Sequence, residues 1–270
     1  MIHRTNLIKL MQTNGYRHDS WQVFSDFVEM SAISISNAVD WAQRDSREAR
    51  YMEIVGRYDK EEASRFAQML AELVMELELA PGDVLGEVFM EMELGNKWHG
   101  QFFTPYSVCK MMAGLQVDDR MKELVEARGF IRANEPACGG GAMMIALAES
   151  MKTAGLDYQQ HLHVVAQDLD FKAVCMAYVQ LSLLHIPAVI IHGNTLALEE
   201  RSHWYTPAHI IGGWEMKLRT AERRTVDAAH HAHAPVQIIV ERPAEPQPET
   251  PLSIVAARSK SIATPQLSLF

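Results

Sequence analysis

The chain has 270 residues and is short of several things, each of which removes a class of explanation. Its three cysteines, Cys109, Cys138 and Cys175, are scattered and form no Cys-x-x-Cys pair, which points to reduced thiols in a cytoplasm rather than a disulfide framework. No apolar run approaches the roughly 18 residues that a membrane span needs. The opening stretch MIHRTNLIKLMQTNGYRHDS has neither a continuous apolar core nor a small-residue cleavage site, so no signal peptide is expected. A basic surplus is missing too: 25 Lys and Arg face 34 Asp and Glu, a net charge of −9. A protein that grips duplex DNA by itself normally shows a basic surface, because phosphate neutralisation supplies most of the affinity. Either a local basic patch is hidden in that sum, or another subunit brings the nucleic acid. The remaining composition, 48% apolar and 22% charged, is ordinary for a globular chain long enough to bury a core in one large domain or two small ones.

From Trp21 to about Gly95 the apolar residues recur at helical spacing, as in Phe24, Phe27, Val28, Ile33, Ile35 and Val39. KEEASRFAQMLAELVMELEL puts Phe66, Met69, Leu70, Leu73, Val74 and Leu77 on one stripe with acids opposite. Pro81-Gly82 breaks the chain, and Asp83 is placed to cap the next helix. The methionines here (Met69, Met75, Met90, Met92) are expected as core filler. From about Gln101 strands and helices alternate. Phe130-Ile131 leads into a glycine turn and the helix Ala142 to Met151. HVVAQ (163–167) precedes the helix Phe171 to His185, and AVIIH (188–192) follows it. That order predicts a parallel sheet with right-handed crossovers. After Gly213 the order fades, with one more strand candidate at Val236 to Val240 before the Pro/Glu-rich ERPAEPQPETP, which reads as a flexible linker.

The turn itself, NEPACGGGAMM (134–144), fits neither common nucleotide motif. A dinucleotide fingerprint needs G-x-G-x-x-G, and here Ala142, Met143 and Met144 follow the three glycines; the Gly-Lys-Ser/Thr of a P-loop is also absent. Such a turn can exist without a ligand, but glycines let the backbone approach a ligand where no side chain would permit it. Asp168 and Asp170 close the second strand, where a carboxylate can accept from ribose hydroxyls. Asn194 closes the third, where an amide can meet an adenine edge. A ligand with ribose and adenine but no pyrophosphate, such as S-adenosylmethionine, fits better than NAD.

GQFFTP (100–105), EPACGGG (135–141), AQDLD (166–170) and GNTL (193–196) occur in order and at workable spacing. Together they resemble the N6-adenine DNA methyltransferases, most closely the modification subunit of type I restriction systems, over about Asp83 to Leu198. The resemblance implies a helical N-terminal domain over 1–98, a shortened Rossmann-like parallel sheet in a cofactor-binding domain over 99–241, and a flexible tail over 242–270. It also implies that Phe102, Phe103 and Thr104 wrap the methionine end of S-adenosylmethionine and that Glu135, Ala137, Gly139 and Gly141 line the turn beside it. Asp168 would take the ribose hydroxyls and Asn194 the cofactor's adenine, where the family often has Asp; an amide can still pair with adenine.

One part of the family pattern is missing. An exocyclic amine is a poor nucleophile because its lone pair is delocalised, and the family meets this with an Asn/Asp-Pro-Pro-Tyr/Phe motif that accepts from the amine and stacks a flipped base. The motif should follow GNTL, but ALEERSHWYTPAHIIGGWEMKL stands there, and the charged segment before YTP implies that the buried fourth strand is missing or altered. In one reading WYTPAH replaces the motif, with Trp204 or Tyr205 stacking the base and Thr206 or His209 accepting from the amine. In the other the catalytic loop is lost, leaving a cofactor-binding or protein-binding accessory or decoy, and the small number of remaining strand candidates favours it.

His230, His231 and His233 lack a cysteine or spaced acid and read as a surface cluster, not a metal site. Arg219, Arg223 and Arg224 form a local basic patch that either touches phosphates or is a solvated helix face. The end of the chain, TPQLSLF, leaves apolar residues after a linker. Gln266, Leu267, Leu269 and Phe270 resemble the short peptide by which bacterial proteins bind the replication sliding clamp, a segment that orders on binding. The implied partners are therefore DNA, directly or through that clamp, and a specificity-type subunit.

Overall fold

The structure is a computed structural model that describes residues 2–94 and 103–232, with side chains to residue 224. Five helices come first: α1 (Ile2–Gly15), α2 (Ser20–Asn37), α3 (Arg44–Val55), α4 (Lys60–Leu79) and α5 (Val84–Glu91). Aspartates start three of them. Asp19 accepts from the Trp21 and Gln22 N–H groups, Asp59 forms a capping box with Glu62, and Asp83 accepts from Gly86 N–H. The predicted α4 stripe is buried at Phe66, Met69, Leu73 and Leu77, with Leu70 and Val74 half-buried. Of the four methionines expected in the core, Met69 is buried and Met92 half-buried. Met75 and Met90 stand 48% and 40% exposed, because the helical stripe turns past them.

Two more helices, α6 (Tyr106–Gln116) and α7 (Asp119–Arg128), precede the sheet. Strands β1 (Ile131–Glu135), β2 (Leu162–Asp168) and β3 (Ala188–Asn194) are parallel and adjacent in that order. Their crossovers run through α8 (Ala142–Thr153) with the short α9 (Tyr158–His161), and through α10 (Phe171–Leu183). The charged segment expected to interrupt the sheet is itself a strand, β4 (Glu199–Tyr205), paired antiparallel to β3. Its first three residues are exposed, as an edge strand allows. Beyond it lie α11 (Pro207–Ile211) and α12 (Trp214–Ala232). Contact density groups Met1–Ala228 as one unit and Ala229–Phe270 as another. The candidate strand 236–240 and the tail lie outside the described residues.

Within the first unit the helical region and the sheet share one core. Every residue of α10 from Ala173 to Ser182 is buried, as expected for a helix packed on several sides: it lies against α2, α5, β2 and β3. At the other edge Arg47 of α3 donates to Asp40 (2.7 Å) and to the His203 carbonyl (3.0 Å), and its guanidinium lies 3.9 Å from the Trp204 ring centre. Arg47 and Asp40 are both nearly excluded from solvent, so neither charge is tolerable without the other. Arg47→Met should therefore lower the unfolding free energy by about 3 kcal/mol, read from urea melts; a loss below about 0.5 kcal/mol would mean that the pair behaves as a surface one.

Candidate cofactor site at the glycine turn

At the carboxyl end of β1 the chain passes through Glu135, Pro136, Ala137 and Cys138 into three glycines and then α8. Gly139 and Gly141 have φ of 52° and 89°, in the left-handed region that disfavours side chains. A Cβ on Gly139 would also lie 2.9 Å from the Phe103 ring, so Phe103 packs directly on the turn. The turn is tied to the neighbouring strand ends. Cys138 N–H donates to the Gln167 carbonyl (2.9 Å), and Gly139 N–H donates to Asp168 Oδ2 (2.8 Å). Asp168 Oδ1 accepts from Asp170 N–H (2.9 Å), and Thr195 Oγ1 donates to the Pro136 carbonyl (2.7 Å). Parallel pairing thus brings Glu135, Ala137, Gly139, Gly141, Asp168 and Asn194 to one end of the sheet.

The electrostatics there are one-sided. Glu135 is half-buried, and burial pushes its carboxyl above the usual range, with the nearby Asp168 adding to the rise; among the described residues its side chain makes only a long contact with Ala137 N–H (3.4 Å). Burial likewise raises the Cys138 thiol, keeping it neutral. Asn194 Oδ1 accepts from the N–H groups of Leu196 and Ala197 (3.1 Å each), which leaves its NH₂ as the donor available to a ligand. Leu169, between Asp168 and Asp170, is 56% exposed at this rim. The sequence reading did not single it out; its signal was an apolar residue between two strand-closing acids. Phe103 is half-buried and Thr104 exposed, and α6 follows at Tyr106 with no side-chain cap on its N-terminus. A cleft of about 600 Å³ opens beside them, lined by Arg4, Met90, Phe103, Thr104, Tyr106 and Lys110 among others. Phe102 lies outside the described residues.

The other candidate site residues are not at this end. Because β4 runs antiparallel, Tyr205 pairs with Val189 and Thr206 N–H donates to the Ala188 carbonyl, at the start of β3. Six residue steps at about 3.3 Å put that end roughly 20 Å from Asn194. Trp204 is 4% exposed and packed under Arg47 and against Tyr178 and Phe171, so no base can stack on it. Thr206 is fully buried: its hydroxyl donates to the Ile186 carbonyl (2.9 Å) and accepts from Ala188 N–H (2.9 Å). His209 is hydrogen-bonded to His163 (2.9 Å) beneath Trp214. Of the two readings of the missing motif, strand direction counts against the one in which Trp204, Tyr205, Thr206 and His209 replace it. Arg219 pairs with Glu215 (2.6 Å), while Arg223 and Arg224 are exposed on α12. The side chains of His230, His231 and His233, and Gln266, Leu267, Leu269 and Phe270, lie outside the description. Among the described residues no cluster is built to hold a metal, and no helix is long and apolar enough to cross a membrane.

Fold and site together define an α/β protein with a glycine turn, two carboxylates and an amide gathered at the carboxyl ends of three parallel strands. Residues 82–217 match the sequence profile of the N-6 DNA Methylase family, half of the chain, and the chain belongs to that family. Two solved structures are similar. One is a Listeria monocytogenes protein assigned to the class I S-adenosylmethionine-dependent methyltransferases (14% identity, TM-score 0.40, 73% of this chain and 55% of that one). The other is the methyltransferase subunit of a type I restriction-modification system from Streptococcus thermophilus (18% identity, TM-score 0.38, 66% of this chain and 40% of that one). The chain thus spans about half or less of these relatives. No curated protein sequence matches it.

The histidine pair gives a prediction of its own. Burial holds both imidazoles below their usual range, His163 down to about 3 with His209 and Arg132 contributing. A base with a depressed folded pKa leaves the unfolded chain binding more protons between the two values, so stability falls as pH drops below about 6.5. The slope should reach about 1.4 kcal/mol per pH unit for His163, with His209 adding in the same direction. Urea unfolding at pH 7.5 and 5.5 measures it, and equal stability at the two would contradict the buried neutral pair.

Proposed function

We propose that the chain binds S-adenosylmethionine at the glycine turn and serves N6-adenine methylation of DNA as a methyltransferase-like protein. The observation that carries this reading is the half-buried Glu135 carboxylate beside Asp168, against a turn whose following helix, α8, has no side-chain cap. Uncompensated negative charge favours a cationic ligand and repels a pyrophosphate. S-adenosylmethionine brings a sulfonium and an ammonium, and its carboxylate suits an uncapped helix N-terminus such as that of α6 after Thr104. When bound, the cofactor supplies an activated methyl group. Phe103 and Thr104 flank its methionine end, Asp168 has acceptor capacity left for ribose hydroxyls, and Asn194 and Leu169 meet the adenine edge and face. Membership of the N-6 DNA methylase family supports DNA adenine as the acceptor.

A second reading is favoured by one observation: the residues that could have handled the acceptor amine sit at the far end of the sheet. On that reading the chain binds cofactor without transferring methyl groups and acts as an accessory or decoy to restriction-modification subunits. Tritiated cofactor, purified protein and unmethylated DNA separate the two: labelled DNA supports the enzyme, and measurable cofactor binding without label supports the accessory. Asp168→Ala should weaken S-adenosylmethionine binding at least about tenfold by calorimetry; affinity equal to the parent would overturn the ribose assignment. The terminal QLSLF is proposed as a sliding-clamp ligand, and deleting residues 266–270 should abolish recovery of the chain on immobilised clamp, whereas unchanged recovery refutes it.

A further inference from the structure

The cofactor reading leaves open what holds the turn in a receptive shape, and the hydrogen bonds around it single out Gln180. This residue lies on α10, has no exposed surface, and uses its whole amide. Its Oε1 accepts from Leu85 N–H at 2.9 Å. Its Nε2 donates to Asp83 Oδ1 at 2.9 Å and to the Gly140 carbonyl at 2.8 Å. Asp83 is also buried; its Oδ1 accepts in addition from Gly86 N–H at 3.0 Å and lies so near Gly140 that an added Cβ would come within 3.2 Å of it.

Peptide planarity turns these contacts into a statement about the turn. The plane joining Gly140 to Gly141 is held at both ends: its carbonyl by Gln180, and its N–H by the Cys138 carbonyl at 2.8 Å. The plane joining Cys138 to Gly139 is held too, its N–H by Asp168 and its carbonyl by that same Gly141. The plane between them is different. Its carbonyl receives only the Cys138 thiol at 3.6 Å, and its N–H, that of Gly140, has no hydrogen-bond partner among the described residues. Two fixed planes therefore determine where the unengaged Gly140 amide stands.

We infer that Gln180, oriented by Asp83, is a positioning residue for the cofactor, fixing the Gly140–Gly141 peptide so that the Gly140 N–H is free to meet the amino-acid end of S-adenosylmethionine. The inference rests on the proposed cofactor site and deepens it. Gln180 touches no ligand in this role; it acts through the backbone of the turn. It also makes cofactor affinity depend on α5, because Leu85 and Asp83 set the amide that sets the turn.

The test separates positioning from a merely structural bond by comparing two ligands. S-adenosylmethionine carries the amino-acid end and 5′-methylthioadenosine lacks it. Calorimetry is run on the full chain and on Gln180→Met and Gln180→Asn, with a thermal melt of each confirming a folded protein. Gln180→Met removes the hydrogen bonds, and Gln180→Asn keeps the amide but shortens its reach, so either one suffices if the other does not fold. Both should weaken S-adenosylmethionine roughly tenfold or more while leaving methylthioadenosine within about twofold. Equal losses for the two ligands, or no loss for either, would overturn the positioning role. A parent chain that binds neither ligand removes the cofactor site itself, and the positioning role with it.

Discussion

A single buried amide joins the three parts of this molecule that matter to its site. Gln180 bonds to the backbone of the glycine turn, to the acid that caps α5 and to the first turn of α5 itself. An amide excluded from water is tolerable only when its donors and acceptor are all engaged, since each orphaned buried group costs about 1–3 kcal/mol. That requirement is mutual. Asp83 is also buried, and burial raises its carboxyl, so Asp83 needs the Gln180 and Gly86 donors as much as they need it. Helix α10 can carry such a residue only because it is covered by α2 and α5 on one side and by the sheet on the other. The helical region is accordingly packed into the glycine-turn end of the sheet, not appended to it.

Strand direction imposes the second constraint. Three parallel strands deliver Glu135, Asp168 and Asn194 to one end, and the antiparallel β4 carries the chain back to the other. The two ends then differ in chemistry. The carboxyl end has acids, an amide and a backbone amide without a described partner; the opposite end has a neutral histidine pair, a buried threonine and Trp214. The first resembles a ligand site with uncompensated charge. The second is packed and hydrogen-bonded within itself, although His163 Nδ1 and Trp204 Nε1 are buried there without a described partner.

Much of this was legible in the residues. The Gly139–Gly141 turn, the acids of AQDLD and the amide of GNTL are local signals, and strand–helix alternation fixed their common end before any coordinates. The polarity of β4 was not legible. Its connection to β3, Thr195 to Leu198, contains no glycine or proline, and Leu198 adopts a φ of 56° that its side chain gives no reason to expect. Glu199, Glu200 and Arg201 read as an interruption because charge argues against a buried strand, yet an edge strand tolerates it. Without that polarity WYTPAH can be read as a replacement for the missing motif; with it, the segment lies at the far end of the sheet. Gln180 was invisible for a different reason. Its role depends on Leu85, Asp83 and Gly140, which only folding brings together.

Charge links the site to the question of how DNA reaches it. The carboxylates that favour a sulfonium also repel phosphates, and Glu199 and Glu200 extend the negative character along the neighbouring strand. The described cations near the cleft are largely committed: Arg4 pairs with Glu87 and Glu91, and Lys110 with Glu149. Arg223 and Arg224 are exposed on α12 and are not among the residues that line the cleft. Among the described residues, phosphate neutralisation on the scale that duplex binding requires is therefore not built into the rim of this site. On the proposed reading, an acceptor adenine would have to be delivered by groups other than those at this rim, and the chain's overall charge of −9 points the same way.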